Sequence, residues 1–312
     1  MSVTIVIEQM IMIVLLIAMG FYSYRKSILT DESARGISAL IVNFTNPCLM
    51  VHSMLNSGDR ISGRMLAIGF LSVIVADALL ILIAEILPRL LKIEQSERYC
   101  YWMLCVFGNI GFIGIPLTSA VLGEKALVYV SIHNLVFSLL IYTVGISKIK
   151  TAAGETGEGG AFSLKQMKSF VNAGTVSVTV ALILYIMGAS LPRIVMSTID
   201  YAGRATTFLS MMILGTAVAR MSVKQVVKDV RLILFSIIRL TAVPALLLIL
   251  MKPFIKDDLL VYTTALMLAV PAGNMPLIIA TQHGLKAQKI SDGIVLTTIL
   301  SVFTIPLVAL FV

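Results

Sequence analysis

The sequence has few charged residues: Asp, Glu, Lys and Arg together make up 13% of its 312 positions. Soluble globular domains usually carry about 25% charged residues, so this shortage argues against a water-soluble fold. Cysteine is also scarce, and the three cysteines show no metal-ligand spacing and cannot form a disulfide scaffold. Apolar residues are abundant instead, at 58% of the chain, and the mean hydropathy is +0.99. These values indicate a membrane protein that crosses the bilayer many times and has no room for a soluble catalytic domain.

A membrane-spanning helix needs about 20 apolar residues, and the apolar runs predict ten such helices. Their predicted bounds are 3–22, 37–55, 65–87, 100–122, 127–147, 170–189, 203–219, 231–251, 259–281 and 290–312. A polar, glycine-rich stretch separates the fifth span from the sixth and is too polar to enter lipid. We therefore predict an all-α membrane protein with a first five-helix repeat (1–148), a connector (149–168) and a second five-helix repeat (169–312).

The distribution of basic residues predicts which loops face the cytoplasm. When Arg204 and Arg231, at the starts of spans 7 and 8, are counted with the loops that precede them, the loops after the odd-numbered spans carry 16 of the 24 Lys and Arg residues, and the loops after the even-numbered spans carry 7. Cytoplasmic loops carry the excess of Lys and Arg in membrane proteins. The central connector is therefore predicted to be cytoplasmic and both termini to lie outside the cytoplasm. The expected location is a cell membrane, such as a bacterial inner membrane, and topology explains the net charge of +8 without a nucleic-acid partner.

A short internal repeat relates the two halves. Residues 123–126 (GEKA) recur as residues 284–287 (GLKA), at an offset of 161 positions, and each copy lies between the last two spans of its half. Because each half has five spans, an odd number, the second half must insert upside down relative to the first. The predicted layout is a pair of inverted repeats, which is typical of secondary transporters.

The fourth span of each half contains glycine and proline where a continuous helix would not. Residues 107–116 read FGNIGFIGIP and residues 270–276 read VPAGNMP. Glycine permits non-helical backbone and proline removes a hydrogen-bond donor, so both helices are predicted to break near mid-membrane. An interruption at that depth must face protein or a water-filled cavity. Pro116 and Pro276 suit the first position of a half-helix that restarts after the break.

Two such restarts, brought together, predict a site for an anion. A helix N-terminus presents free N–H groups and the positive end of its dipole, and an asparagine amide can donate to a carboxylate. The alternative is a pair of simple proline kinks, with the glycines serving tight helix packing. The predicted substrate-binding residues are Asn109, Gly111, Gly114, Pro116, Pro271, Gly273, Asn274 and Pro276.

These motifs resemble those of the auxin efflux carrier family, which comprises the plant PIN proteins and their shorter bacterial relatives. Residues 108–117 (GNIGFIGIPL) resemble the span-4 signature of the family, and residues 270–276 resemble its span-9 signature, although the plant proteins include a glutamine between the two prolines where this chain has Asn274. Residues 75–79 (VADAL) resemble the span-3 segment with the acidic residue of the family. Residues 46–49 (NPCL) resemble its proline-containing second span.

The resemblance implies a scaffold domain of spans 1, 2, 6 and 7 and a transport domain of spans 3–5 and 8–10. In the family, the two broken helices cross in the transport domain, which moves as an elevator while carrying an organic anion, and two scaffolds meet in a homodimer. This chain lacks the long cytoplasmic loop of the plant carriers. That difference favours the bacterial branch, whose members resemble carriers of malate, malonate and similar acids.

Two ionisable residues lie near the centres of predicted spans, Asp77 in span 3 and Arg239 in span 8. A charge at that depth costs at least about 2.5–3.5 kcal/mol. One interpretation is a structural ion pair between the two helices, which contributes little net stability after desolvation. The other makes Asp77 the group that responds to a proton or cation beside the anion site, with Arg239 balancing its charge. The span-3 motif favours the second interpretation for Asp77.

Four more polar residues are secondary candidates for the site. Asn43 and Asn46 are three positions apart and therefore share one face of span 2, where hydrogen bonding between helices is the alternative role. His133 and Asn134 lie in span 5. A histidine can titrate near neutral pH, and a packed imidazole is the alternative there.

The sequence thus predicts a secondary transporter that moves a small mono- or dicarboxylate by elevator-type alternating access. It contains no nucleotide-binding motif and no motif of an intramembrane enzyme, so no catalytic residue, metal or cofactor is expected. The expected partners are the organic anion, the lipid bilayer and a second copy of the chain. The alternatives are a sodium-coupled carrier of the bile-acid type, whose crossed helices are similar, and a membrane sensor that binds the anion without moving it.

Overall fold

The computed structural model describes residues 3–56, 61–154, 173–220 and 229–310, and the regular elements in these ranges are helices. The helices are α1 (Val3–Arg25), α2 (Asp31–Leu55), α3 (Gly63–Leu90), α4 (Arg98–Val106), α5 (Ile110–Leu122), α6 (Glu124–Ala152), α7 (Ala173–Met187), α8 (Arg193–Ala219), α9 (Val230–Met251), α10 (Asp258–Ala269), α11 (Met275–Gln282) and α12 (Gln288–Leu310). The part of the predicted connector from residue 155 to 168 lies outside the described residues.

Six of the described helices are long and apolar enough to cross a membrane: α2, α3, α6, α8, α9 and α12. Apolar stretches of α1, α5, α7 and α10 are shorter. The outer face of α3 is apolar and exposed: Leu71, Ile74 and Leu82 are all more than half exposed. Exposed apolar side chains along a long apolar helix suit contact with lipid. The chain is therefore a multi-pass membrane protein.

Two helices begin well before the apolar runs from which they were predicted. Helix α2 begins at Asp31 because Thr30 and Ser33 form a capping box: the Thr30 hydroxyl accepts from the Ser33 N–H at 3.2 Å, and the Ser33 hydroxyl accepts from the Thr30 N–H at 2.8 Å. Helix α8 begins at Arg193, and the Asp200–Arg204 ion pair of 2.9 Å lies along its first turns. Hydropathy finds the apolar part of a helix, whereas α2 begins at a polar capping box and α8 begins directly after Pro192.

Helices α1 and α8 are in backbone contact. A Cβ atom at Gly20 would lie 2.2 Å from the carbonyl oxygen of Met212, and one at Gly215 would lie 2.1 Å from that of Ile17. Only glycine fits at these two positions. Close approach at small residues is a common way for helices to associate in lipid, where no hydrophobic effect drives them together.

The buried apolar side chains form two clusters. The larger one is centred on α3, α4, α6, α9, α10 and α12, and the smaller one on α1, α2, α5 and α8. The segments between α4 and α5 and between α10 and α11 lie where these clusters meet, so both interruptions are surrounded by protein.

Candidate functional site

Both predicted helix interruptions are present, and they are adjacent. Helix α4 ends at Val106 and α5 begins at Ile110; helix α10 ends at Ala269 and α11 begins at Met275. The two connecting segments pair as a short antiparallel bridge. The Asn109 N–H donates to the Pro271 carbonyl at 2.7 Å, and the Gly273 N–H donates to the Phe107 carbonyl at 2.9 Å. We call this bridged pair of segments, 107–109 and 270–274, the crossing.

The crossing is tightly packed and its backbone groups are largely satisfied. A Cβ atom at Gly273 would lie 2.9 Å from the carbonyl oxygen of Gly108, so the two backbones approach too closely for a side chain. The hydroxyl of Thr297, on α12, accepts a hydrogen bond from the Ala272 N–H at 3.1 Å. Simple proline kinks would leave each helix continuous. Here each helix ends, the chain passes through the bridge as an extended segment, and a new helix begins after it.

Arg239 on α9 supports the crossing from its buried side. It is 2% exposed, and its Nε donates to the carbonyl oxygen of Cys105 at 2.6 Å. Its guanidinium also donates to the carbonyl oxygen of Leu268. These two oxygens lie at the carboxyl ends of α4 and α10, where helix carbonyls lack partners and the dipole is negative. One cation therefore satisfies the ends of both half-helices that lead into the crossing.

Asp77, His133 and Arg239 line a small cavity beside the crossing. Its volume is about 20 Å³, enough for one water molecule. The ion pairs of 4 Å or less in the described part of the chain do not include one between Asp77 and Arg239, whose identified hydrogen bonds go to carbonyl groups. The buried His133 packs with its Nε2 3.2 Å from the Thr264 hydroxyl. Asp77 and Arg239 thus line the same cavity but are not within 4 Å of each other.

A much larger cavity, of about 660 Å³, lies on the crossing and on the polar side chains around it. We call it the main cavity. Its walls are mostly apolar, with side chains such as Met50, Phe112, Phe137, Ile141 and Val178. Among the polar or glycine residues that border it at the crossing and on α2, α5 and α6 are Asn43, Asn46, Gly108, Asn109, Gly111, Asn134, Gly273 and Asn274. Of the predicted substrate-binding residues, Gly114, Pro116, Pro271 and Pro276 do not line it.

Three π-helical turns border the main cavity: Ile41–Thr45 in α2, Ile110–Gly114 in α5 and Ile141–Gly145 in α6. A π turn widens a helix by one residue and often marks a functional site. The sequence analysis missed these turns, since no residue pattern in these segments distinguishes them from an ordinary apolar helix.

Three hydrogen-bond donors in or next to the crossing have no identified partner in the described chain. The N–H groups of Gly111 and Met275, at the first turns of α5 and α11, have none among the backbone hydrogen bonds. Both residues line the main cavity, and so does the exposed side chain of Asn274, for which no hydrogen bond is found. These donors belong to two helix N-termini, where the dipoles also favour a negative charge.

The other asparagines are partly engaged in the fold. The Oδ1 atom of Asn109 accepts from the Phe112 N–H at 3.2 Å and so caps α5. The Nδ2 atom of Asn46 donates to the Gly111 carbonyl at 3.0 Å, while its Oδ1 is buried without a partner. Asn43 donates to Ala39 in its own helix. Asn46 therefore ties α2 to the crossing, and Asn43 is turned to its own backbone.

The position of Pro116 differs from the prediction. Helix α5 begins at Ile110, capped by Asn109, so Pro116 is its seventh residue and not its first. The preceding π turn closes with a bond from the Gly114 N–H to the Asn109 carbonyl at 3.0 Å. Pro276 is the second residue of α11 and lies in its first turn, close to the predicted position.

Two arginines line the main cavity far along the chain from the crossing motifs. Arg220 pairs with Asp31 at 2.9 Å and lies over the Tyr24 ring at 5.2 Å. Arg35 is exposed on α2. Arg35 and Arg220 lie in the basic loops that follow predicted spans 1 and 7. The sequence therefore showed that these loops are basic, but not that the two arginines border a cavity.

The comparisons with known proteins agree with this architecture. A family described as membrane transport protein matches residues 5–309. The chain is 25% identical over 316 residues to an uncharacterized transporter of Methanocaldococcus jannaschii and 22% identical over 301 residues to an uncharacterized transporter of Methanothermobacter thermautotrophicus, with 96% of each chain covered in both cases. The chain therefore belongs to this family of membrane transport proteins, the PIN and auxin efflux family that the motifs of the two interrupted helices resemble.

Proposed function

We propose that the protein is a secondary transporter that binds the carboxylate of a small organic anion at the crossing. The observation that carries this proposal is the set of unpaired donors at two helix N-termini on the wall of one large cavity: the N–H groups of Gly111 and Met275 and the amide of Asn274. Dipoles and N–H groups bind an anion without a full positive charge. Such a site can bind the carboxylate specifically and still with an affinity low enough for its release.

The apolar walls bind the rest of the substrate. Side chains such as Phe112, Ile141 and Val178 offer no hydrogen bonds, so the body of the anion is held by burial of apolar surface. Asn134 borders the same space from α6 and provides a second polar contact. A monocarboxylate fits one polar end and an apolar body, and in a dicarboxylate the second carboxylate would be held by the amide of Asn134.

We further propose that the chain comprises ten spans in two inverted repeats, with spans 4 and 9 represented by the broken pairs α4–α5 and α10–α11. The two repeated tetrapeptides support this layout, since Gly123 and Gly284 both have positive φ, 82° and 70°. Gly123 directly follows α5, and Gly284 lies two residues after the end of α11. In this proposal spans 1, 2, 6 and 7 form a scaffold that pairs with a second copy. The other six spans carry the substrate across the membrane as an elevator.

Asp77 is the proposed coupling group. Its carboxylate faces the small cavity, which shares Gly108, Ile110 and Phe137 with the main cavity. A proton taken up or released by Asp77 would change the charge directly beside the crossing, and Arg239 would hold the crossing in both protonation states through its carbonyl contacts. Occupancy of the anion site and protonation of Asp77 are then linked through the intervening backbone.

The test is uptake and counterflow in proteoliposomes with a panel of mono- and dicarboxylates, with pH and sodium varied separately. We expect saturable uptake of at least one carboxylate by the wild type and a much higher KM for uptake in Asn274→Ala. Asn56→Ala, which changes an asparagine at the end of α2 outside the cavity lining, should keep the wild-type KM. Uptake that requires sodium would favour the bile-acid type of carrier. Saturable binding without uptake or counterflow would favour a sensor and overturn the proposal.

A further inference from the structure

His52 lies between two carboxylates at the end of α2 opposite to Arg35. Its Nδ1 is 3.7 Å from Oε2 of Glu124, and its Nε2 is 3.7 Å from Oδ1 of Asp200. The imidazole is largely buried, at 9% exposure, whereas Glu124 is 45% exposed. Both ring nitrogens thus face an acidic oxygen, and both are slightly too far for a formed hydrogen bond.

The two carboxylates belong to different parts of the fold. Asp200 lies on α8, which packs on α2. Glu124 lies in the 3₁₀ turn Glu124–Ala126 that opens α6, immediately after the broken span α4–α5. In the proposed division, His52 and Asp200 belong to the scaffold, and Glu124 moves with the transport domain. The imidazole therefore lies on the boundary that an elevator movement must open.

The protonation state of an imidazole decides whether it can donate hydrogen bonds to one carboxylate or to two. A neutral ring has one N–H and one lone pair, so it can donate to one carboxylate while its lone pair faces the other. A protonated ring has two N–H donors and a positive charge, so it can bind both. Histidine is the side chain that ordinarily changes charge between pH 5 and 8.

The remaining charged or titratable groups near His52 do not replace this arrangement. Arg204, on α8, donates to Oδ1 of Asp200 at 2.9 Å, the same oxygen that Nε2 of His52 faces, and it also interacts electrostatically with Glu124. A carboxylate oxygen has two lone pairs, so Oδ1 can accept from both Arg204 and a protonated His52. Lys125 adjoins Glu124 in the 3₁₀ turn. From α7, the Tyr185 hydroxyl accepts from the Ile61 N–H, and from α6, the Tyr129 hydroxyl donates to Asp257 at 2.6 Å. Among the ion pairs of the described residues, His52 is the group that contacts both Glu124 and Asp200.

We propose that His52, Glu124 and Asp200 form a pH-sensitive latch between scaffold and transport domain, an inference that rests on the proposed elevator. By the distribution of basic loops, the latch is on the side away from the cytoplasm, and the main cavity, with Arg35 and Arg220 at its border, opens towards the cytoplasm. Protonation of His52 closes the latch and holds this inward-open state. An acidic exterior therefore slows the return of the transport domain, and a neutral exterior frees it.

A double-mutant cycle tests the latch without requiring any substrate. The thermal unfolding midpoint of the purified full chain in detergent is measured for wild type, His52→Gln, Glu124→Gln and the double variant at pH 5.5 and pH 8.0. We expect a non-additive shift of about 1–3 °C at pH 5.5 that disappears at pH 8.0. Asp200→Asn in place of Glu124→Gln provides a second cycle, and His283→Gln provides a control histidine. Additive effects at pH 5.5 in both cycles, or equal coupling at both pH values, would overturn the latch.

Uptake then links the latch to transport. In proteoliposomes with a fixed internal pH, we expect external acid to slow wild-type exchange of a transported carboxylate at least twofold more than exchange by His52→Gln, which keeps any pH dependence that Asp77 contributes. Equal slowing of both proteins would remove the proposed role in transport. If the double-mutant cycle shows coupling but the protein transports no carboxylate, the proposed function is refuted and the pH-sensitive contact of His52 remains. If uptake is normal but the cycle shows no coupling, only the latch is refuted.

Discussion

The Nε of Arg239 donates to the carbonyl oxygen of Cys105 at 2.6 Å, although the two residues are 134 positions apart. The same guanidinium donates to the Leu268 carbonyl. One side chain from α9 thereby binds the carboxyl ends of α4 and α10, the two half-helices that lead into the crossing. Because these ends are the negative ends of helix dipoles, they provide partners for a buried cation that forms no ion pair with the carboxylates of the described residues.

Replacing Arg239 should therefore destabilise the fold more than it alters any single binding contact. In Arg239→Met, two buried carbonyls lose a charged donor, and each unsatisfied acceptor costs about 1–3 kcal/mol. We expect a total loss of about 2–6 kcal/mol, observed as a lower thermal unfolding midpoint of the purified chain. Arg231→Met, an exposed arginine on the same helix, is the control and should leave the midpoint nearly unchanged. A wild-type midpoint for Arg239→Met would show that the carbonyl contacts are dispensable.

The asparagines at the crossing should separate substrate binding from helix capping. Asn274 makes no identified hydrogen bond within the fold, so Asn274→Ala should unfold like the wild type and lose a donor to the carboxylate. Such a loss is worth about 1.5–3 kcal/mol, or roughly a 10- to 150-fold higher KM for uptake. Unchanged KM in Asn274→Ala would remove this side chain from the site.

At Asn109 the two roles coincide, because its Oδ1 caps α5 through the Phe112 N–H. Asn109→Ser keeps an oxygen cap and removes the amide donor, whereas Asn109→Ala removes both. We expect both variants to lose uptake, and only the alanine variant to lose about 1 kcal/mol of stability as well. Uptake retained by the serine variant would assign Asn109 to capping alone.

The sequence predicted the two helix interruptions but not where α5 begins or which groups Arg239 binds. Glycine and proline in both motifs predicted the interruptions, because few other residues break a helix at that depth. The restart of α5 was placed at Pro116, six positions too late. Asn109 is a typical N-cap residue but was interpreted only as a substrate ligand, and the π turn that follows it leaves no mark in residue type. The partners of Arg239 were not predictable either, because they are backbone carbonyls, which every residue carries.

Proton coupling should depend on Asp77. Its carboxylate lines the small cavity beside the crossing, so Asp77→Asn fixes a neutral side chain of nearly the same shape. We expect uptake by this variant to vary much less with pH than uptake by the wild type. Glu85→Gln is the matched control on α3, since Glu85 pairs with Lys148 and Arg89 at the helix end and not at the crossing. A pH profile unchanged in Asp77→Asn would assign the carboxylate to structure alone.

Arg35 should attract the substrate to the main cavity without binding it at the crossing. It is exposed and borders the cavity, whereas Arg220 is already paired with Asp31. A cation at a cavity entrance raises the local concentration of anions, and salt screens this effect beyond about 10 Å at 0.1 M. We expect Arg35→Gln to raise KM by about two- to fivefold at low ionic strength, with little change in maximal rate, and the difference should shrink in about 0.5 M salt because the Debye length is then only a few ångströms. Arg64→Gln, at the start of α3 and outside the cavity lining, is the control and should behave like the wild type. A rise in KM for Arg35→Gln that does not depend on salt would indicate that Arg35 contacts the substrate directly.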